Sequence, residues 1–342
     1  MSAQKNREIR LKKRPAGMPT ADDFELVETP VPTPAAGQVL VRNIYISVDP
    51  YMRGRMIDRE SYIPPFQIGE TLSGGAVGQV AASNGNANFK IGDYVSNFSG
   101  WREWFATSGG ELQKIDSSLA PIQAYLGTFG MPGLAAYAGL LKVAELKEGE
   151  RVFVSAASGA VGAVVCQIAK NKGCYVVGSA GSDDKCDWLV KEARVDHAIN
   201  YKTCGDLNAA VQAAFPQGID VYFENVGGAH LDAALANMRV QGRIAVCGMI
   251  SQYNATELPP GPSNFFAVLP QRLTIKGFMV TDYANLTPDF LRDMGAWAKA
   301  GKLKWRETII DGIENAPRAF IGLFTGDNFG KMLVRVGPDS AV

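Results

Sequence analysis

The sequence predicts an α/β protein in which a doubly wound parallel sheet is inserted in a β-rich domain. Three observations predict it. Up to about residue 125 the apolar residues fall in short β-rich runs, such as "QVLVRNIYISV" and "GGAVGQVAAS", separated by turns like "ETPVPTPAAGQ" and "NGNANFKIGD". From 126 to 301 the strand-like runs "RVFVSA", "CYVVGSA", "HAINY", "DVYFENV", "RIAVCGM" and "LTIKGFMV" follow one another, most pairs separated by a helical pattern. Such alternation builds a parallel sheet covered on both faces. Finally, after the helical "TPDFLRDMGAWAKAGKL", residues 302–342 return to strand, helix and strand in "WRETIIDG", "NAPRAFIGLFTG" and "GKMLVRV". The chain therefore reads as 1–125, 126–301 and 302–342, with the last segment rejoining the first.

Composition narrows the function classes. A chain of 342 residues, 46% hydrophobic, can bury a substantial core and has room for two domains. Lys plus Arg and Asp plus Glu number 34 each, so no whole-chain field favours nucleic acid or an anionic membrane. The opening "MSAQKNREIRLKKRPAG" is basic without an apolar h-region, and no stretch approaches the ~18 apolar residues of a membrane span. Cys166, Cys174, Cys186, Cys204 and Cys247 are odd in number and form no C-x-x-C pair, which reads as reduced thiols in a cytoplasmic protein. Cys186 has Lys185 beside it, the kind of neighbour that lowers a thiol pKa, but no catalytic task follows from that alone.

The sharpest local signal is "VFVSAASGAVGAVVCQIAKN". Ala157, Gly159 and Gly162 stand at the spacing of G-x-G-x-x-G with Ala in the first place, after a strand and opening a helix. Small residues there let backbone N–H groups approach a pyrophosphate at the positive end of the helix dipole. The same glycines would also serve a tight turn for packing alone. Strand before, helix after and further βα units downstream favour a dinucleotide-binding Rossmann unit.

The next strand selects the cofactor. A carboxylate at its end would bind the ribose 2′-hydroxyl of NAD, but "CYVVGSAGS" ends in Gly178, Ser179, Ala180, Gly181 and Ser182, with no acid until Asp183. Lys185 follows one helical turn later and offers a point charge for an extra phosphate. The reading is NADP(H). The competing role for Lys185 is a solvated helix lysine.

The ordered series "SVDPYMRGRM", "GMPGLAAYAGL", "SAASGAVGAVVCQIAKNKGC", "GSDDKCDWL", "INYK", "YFENVGG", "VCGMISQYN" and "GDNFGKMLVRV" resembles the medium-chain dehydrogenases/reductases. More narrowly it is similar to the zinc-independent branch of prostaglandin reductases, alkenal double-bond reductases and bacterial curcumin reductases, over essentially the whole chain. The resemblance implies a GroES-like catalytic domain for 1–125 and 302–342, and an NADP-binding domain for 126–301. It implies a homodimer, which the strand edge at "RLTIKGFMV" also suggests. Zinc is not expected: His197 and His230 are the two histidines, both in the second domain, Thr71 follows Glu70 in "IGETLSGG", and no Cys precedes Cys166.

Without a Lewis acid, a carbon–carbon double bond conjugated to a carbonyl suits the remaining parts. Hydride from the nicotinamide adds at the β-carbon, and the site must offer a hydrogen-bond donor at the developing enolate oxygen and a proton for the α-carbon. Tyrosine is a donor at neutral pH. Tyr253 in "GMISQYN", just past a sheet strand, and Tyr51 and Tyr62 in the β-rich domain are the candidates; for each the alternative is a packed ring. By the resemblance, cofactor contacts fall on Pro50, Met131 and Gly133, on Ala157, Gly159, Ala160, Val161 and Gly162, and on Ser182, Lys185 and Tyr201. They fall further on Asn225, Cys247, Gly248, Ser251 and Tyr253, on Phe278, Met279 and Val280, and on Asn328. Cys247 and Phe278 are equally core residues by type, and Asn328 equally a turn residue before Gly330. The substrate expected is a small-molecule enone. A quinone reductase and a non-catalytic NADPH-binding protein are the alternatives.

Overall fold

The computed structural model describes residues 5–338, so the ends of the first and last sequence segments, 1–4 and 339–342, lie outside the described residues. The chain divides into two compact units. One takes the described residues up to Leu126 and from Glu307 onward; the other is Gly127–Arg306.

The first unit begins with β1 (Lys5–Leu11), β2 (Phe24–Pro30), β3 (Val39–Ser47), the short helix α1 (Met52–Arg55), β4 (Ala76–Ser83), β5 (Tyr94–Asn97), β6 (Trp104–Thr107) and β7 (Gln113–Lys114). The second unit runs α2 (Met131–Ala138), β8 (Arg151–Val154), α3 (Gly162–Asn171), β9 (Tyr175–Ala180), α4 (Asp183–Lys191), β10 (His197–Asn200) and α5 (Leu207–Ala214). It continues with β11 (Ile219–Glu224), α6 (Ala229–Asn237), β12 (Met238–Val246), α7 (Val268–Gln271), β13 (Thr274–Gly277) and α8 (Thr287–Lys299). The chain then returns to the first unit as β14 (Glu307–Asp311), α9 (Ala316–Thr325) and β15 (Lys331–Arg335).

In the first unit β1 and β2 pair with each other, and the larger sheet has the order β14-β15-β3-β4-β5-β7 with β6 also on β3. The returning segment is joined to this sheet through antiparallel pairing of β15 with β3, Leu333 opposite Ser47 and Arg335 opposite Tyr45. Its helix is equally built in. Phe320 of α9 meets Phe24 and Trp101 edge-on, each at 6.2 Å, while those two rings stack at 6.0 Å. Aromatic packing of this kind adds to the burial of three large rings.

The second unit is a six-stranded sheet of order β10-β9-β8-β11-β12-β13, parallel throughout. Counted within the unit the order is 3-2-1-4-5-6, the doubly wound arrangement whose switch point lies between β8 and β11. Val152, Phe153 and Val154 of β8 and Val221, Tyr222, Phe223 and Glu224 of β11 are buried without alternation, as in strands of a parallel sheet covered on both faces. Phe153 stacks on Tyr222 at 5.2 Å in the core. Two boundaries differ from the sequence reading. The helix that the sequence "AVGAVVCQIAKN" predicts from Ala160 starts at Gly162, because residues 158–161 are spent on the turn. The strand expected to reach Val280 stops at Gly277, at the exposed sheet edge where no further neighbour holds it extended. Among the described residues no helix is long and apolar enough to cross a membrane.

Candidate active site

The turn after β8 explains its own composition. A Cβ on Gly162 would stand 2.3 Å from the Ala156 carbonyl oxygen and 2.8 Å from Ala157 Cα, and one on Gly159 would stand 3.1 Å from the same oxygen. Ala156 itself has φ of 47°, which commits the backbone to a sharp reversal. Gly162 is thus required by the turn and Gly159 fits it closely, and the turn in return delivers the N-terminus of α3 with no side chain capping it. Uncapped N–H groups at a helix start suit phosphate oxygens. Ala157 is buried, its N–H donating to Ser179 O at 2.8 Å; Ala160 and Val161 complete the approach to the helix.

Asn225 lies at the carboxyl end of β11, beside the end of β8. Its backbone N–H donates to Ser155 Oγ at 2.9 Å and its Nδ2 to Ser155 O at 2.7 Å. Ser155 is in turn held by Glu224, a residue the sequence reading passed over. Glu224 is fully buried, and its Oε1 accepts from Tyr222 Oη (2.7 Å), Ser155 Oγ (3.0 Å), Val226 N (2.6 Å) and Gly227 N (2.9 Å). Burial outweighs these bonds and raises its pKa above the usual carboxylate value. The Glu224 carbonyl accepts from Cys247 N and Gly248 N, so the ends of β11 and β12 are tied together. Burial, with Glu224 nearby, pushes the Cys247 thiol up to about 12.

Gly248 makes room for Tyr253: a Cβ there would stand 2.9 Å from the Tyr253 hydroxyl, which accepts from Met249 N at 3.2 Å. Ser251 Oγ donates to Val226 O at 2.5 Å. Asn225, Cys247, Gly248, Ser251 and Tyr253 are therefore brought together with the glycine turn at the carboxyl edge of the sheet.

A second group gathers past β9 and β10. Ser182 caps α4, its Oγ accepting from Lys185 N at 3.4 Å. A Cβ on Gly181 would stand 2.8 Å from the Tyr201 hydroxyl, and the Tyr201 ring is met edge-on by His230 at 5.1 Å. Asp183 is held by Asn200 Nδ2 at 2.7 Å. Cys186 does not have a lowered pKa: burial raises it, and Asp183 and Asp187 add to the rise, so the neighbouring Lys185 does not decide its state. Elsewhere in this unit, Met131 opens α2 and is exposed, while a Cβ on Gly133 would stand 2.0 Å from Thr128 O. Phe278 packs on Phe223 and Tyr283, with Met279 exposed and Val280 starting a 3-10 turn.

In the first unit Pro50 and Tyr51 lead into α1. The Tyr51 hydroxyl is buried beside the Arg55 guanidinium with no acceptor for its O–H, and burial pushes its pKa well above the usual phenol range, with Asp49 adding and Arg55 opposing. Tyr62 is 60% exposed on the loop that follows. Asn328 Nδ2 donates to Gly330 O at 2.8 Å, the local bond of a turn residue. Two residues beyond Gly330's neighbour Phe329, Lys331 makes a contact the sequence reading missed. Its Nζ donates to Val48 O at 2.8 Å and Asp49 Oδ1 at 3.0 Å, deep in the unit, and Ser47 donates to the other carboxylate oxygen. The pair fastens "GDNFGK" to "VDPY".

The family model described as "N-terminal domain of oxidoreductase" matches residues 7–115, and that of "Zinc-binding dehydrogenase" matches 160–296. The chain is 46% identical to the NADPH-dependent curcumin reductase of Escherichia coli over 98% of both chains. It is 47% identical to the NADP(+)-dependent 2-alkenal reductase of Nicotiana tabacum over 97% of both. This chain is a medium-chain dehydrogenase/reductase. The fold agrees: CurA from Vibrio vulnificus in complex with NADPH superposes with a TM-score of 0.92 at 43% identity, covering 97% of this chain and 99% of that one. Among the described residues no three His, Cys, Asp or Glu side chains are grouped to hold a metal. His230 is buried on α6 against Tyr201, and His197 lies in β10. The residues present do not fit zinc.

Proposed function

We propose that this protein reduces the carbon–carbon double bond of α,β-unsaturated aldehydes and ketones with NADPH. The observation that carries the reading is near-full-length identity to curcumin and alkenal reductases, joined to a glycine turn whose geometry suits a dinucleotide. When bound, NADPH supplies the hydride for the β-carbon. The turn from Ala157 to Gly162 would seat the pyrophosphate at the start of α3, with Ala157 and Gly159 shaping the turn. Lys185 and Tyr201, with Ser182 fixing the start of α4, would receive the 2′-phosphate, and Asn225, Gly248 and Ser251 are further cofactor contacts. Pro50, Met131, Gly133, Cys247, Phe278, Met279, Val280 and Asn328 complete the cofactor's surroundings.

Catalysis falls to Tyr51, Tyr62 and Tyr253, whose O–H groups donate to the carbonyl oxygen as it gains charge and supply the proton for the α-carbon. The buried Tyr51 O–H, which has no acceptor, supports its part in this. No step passes through a metal. The protein works in the cytoplasm on small molecules, binds neither nucleic acid nor membrane, and forms a homodimer. The edge strand β13, with all four residues exposed, supports pairing with a second copy. Light scattering returning a monomer mass at micromolar concentration would remove the dimer. Steady-state NADPH oxidation with conjugated enones against simple quinones tests the activity, and faster turnover of the quinones would replace the proposed substrate class.

A further inference from the structure

Arg55 closes α1, one helical turn after Tyr51, and is 9% exposed. A guanidinium buried to this degree ordinarily faces a carboxylate, because an unpaired charge inside a protein is costly. Arg55 instead bonds to neutral oxygens. Its Nε donates to Pro64 O at 3.0 Å and its Nη1 to Ser73 Oγ at 3.0 Å and Ser73 O at 3.3 Å, and its plane lies over the Phe66 ring at 3.9 Å. The ionisable groups that bear on it are two phenols, Tyr51 and Tyr62. These bonds tie α1 to both ends of the 64–73 stretch, next to the loop that carries Tyr62.

Two deficits therefore adjoin: a buried O–H without an acceptor on Tyr51, and a buried cation without an anion on Arg55. One event satisfies both, the appearance of negative charge on oxygen at this spot. Asp49 also bears on Tyr51, and its carboxylate is held by Lys331 and Ser47. Arg55 is thus the cation left to answer a charge on the phenol.

We propose that Arg55 is a positioning residue for enone reduction, fixing Tyr51 and stabilising the charge on the Tyr51 oxygen as its proton passes to the substrate. The proposal rests on the assignment of Tyr51 above. The step balances. As the β-carbon gains its hydrogen, the double-bond pair shifts to form an enolate; the Tyr51 O–H bond breaks, the proton bonds to the enolate, and the charge stays on Oη beside the guanidinium until water returns a proton.

The test is a cycle of Arg55→Gln, Tyr51→Phe and the double variant, with Arg55→Lys as the variant that keeps the charge. Arg55→Gln is expected to lower kcat roughly tenfold to hundredfold, less than removing a direct oxyanion donor because it acts through Tyr51. NADPH affinity stays within about twofold while the solvent isotope effect on kcat grows, because proton transfer becomes limiting. Arg55→Lys retains most of the rate, and Arg55→Gln adds little in the Tyr51→Phe background. Equal losses in the Lys and Gln variants, or an undiminished Gln effect without Tyr51, would overturn the proposal. Wild-type turnover by Tyr51→Phe would sink the Tyr51 assignment, whereas a slow Tyr51→Phe beside a normal Arg55→Gln sinks the Arg55 role alone. If Arg55→Gln does not fold, Arg55→Met takes its place in the cycle: its loss and isotope effect must vanish without Tyr51.

Discussion

A Cβ on Gly178 would lie 2.6 Å from the Cβ of Ala157. The alanine in the first place of the glycine pattern is thus accommodated by a glycine on the neighbouring strand β9, and the phosphate turn keeps its shape. Gly178→Ala overpacks this point, for which about 1 to 3 kcal/mol of destabilisation is expected. Urea unfolding reads the loss, and NADPH titration should show weaker binding as the turn shifts. An unchanged midpoint with unchanged affinity would mean that the turn absorbs the methyl elsewhere.

The 2′-phosphate site is testable by a ratio. Lys185→Ala should weaken NADPH and leave NADH nearly unchanged, by roughly 1.5 to 3 kcal/mol for a well-ordered charged hydrogen bond, or about tenfold to a hundredfold. Exposure moves the effect toward the lower figure. Tyr201→Phe should push the same way but less, since the charge remains. A large wild-type ratio of NADH to NADPH dissociation constants left intact in the Lys185 variant would return that lysine to a solvated helix face.

Lys331 and Asp49 form a buried pair, with side chains 5% and 9% exposed. Removing one member leaves the other charge buried, so Lys331→Met should cost about 3 to 5 kcal/mol, with much of it recovered in the Lys331→Met, Asp49→Asn double variant. Thermal or urea unfolding of the two variants decides this. Equal losses in both would show that the pair is not the reason.

His230 gives a pH dependence with a defined sign. Burial lowers its pKa from 6.5 to about 4, and its Nε2 has no partner. The unfolded chain takes up this proton first, so stability is full above 6.5 and falls as pH drops toward 4, by at most about 3 kcal/mol. His230→Phe, which keeps a ring against Tyr201, should flatten the curve across that window. A wild-type and variant pair with parallel curves would assign the acid sensitivity elsewhere.

Much of this was legible in the sequence because it is local. The alternation from "RVFVSA" to "RIAVCGM" fixed the parallel sheet, and "SGAVG" marked the turn, since periodicity and glycine spacing are properties of neighbouring residues. What stayed hidden depends on contacts across the chain. Glu224 looks like an ordinary polar residue at a strand end, yet it binds Tyr222, Ser155 and two backbone amides together. Lys331 reads as one more lysine until β15 pairs with β3 and carries it to Asp49. Arg55 reads as a charged helix residue, and its burial over Phe66 follows from how the 64–73 stretch folds back. Cys186 reads as a thiol beside a lysine, whereas its burial and two acids set its pKa.

In the proposed reduction, hydride goes to the β-carbon of an enone. Its most direct test is a single turnover with NADPH carrying deuterium at the transferred position of C4, followed by analysis of the product. The account predicts a saturated carbonyl compound with deuterium on the β-carbon. An allylic alcohol with deuterium on the former carbonyl carbon and the double bond intact would contradict it.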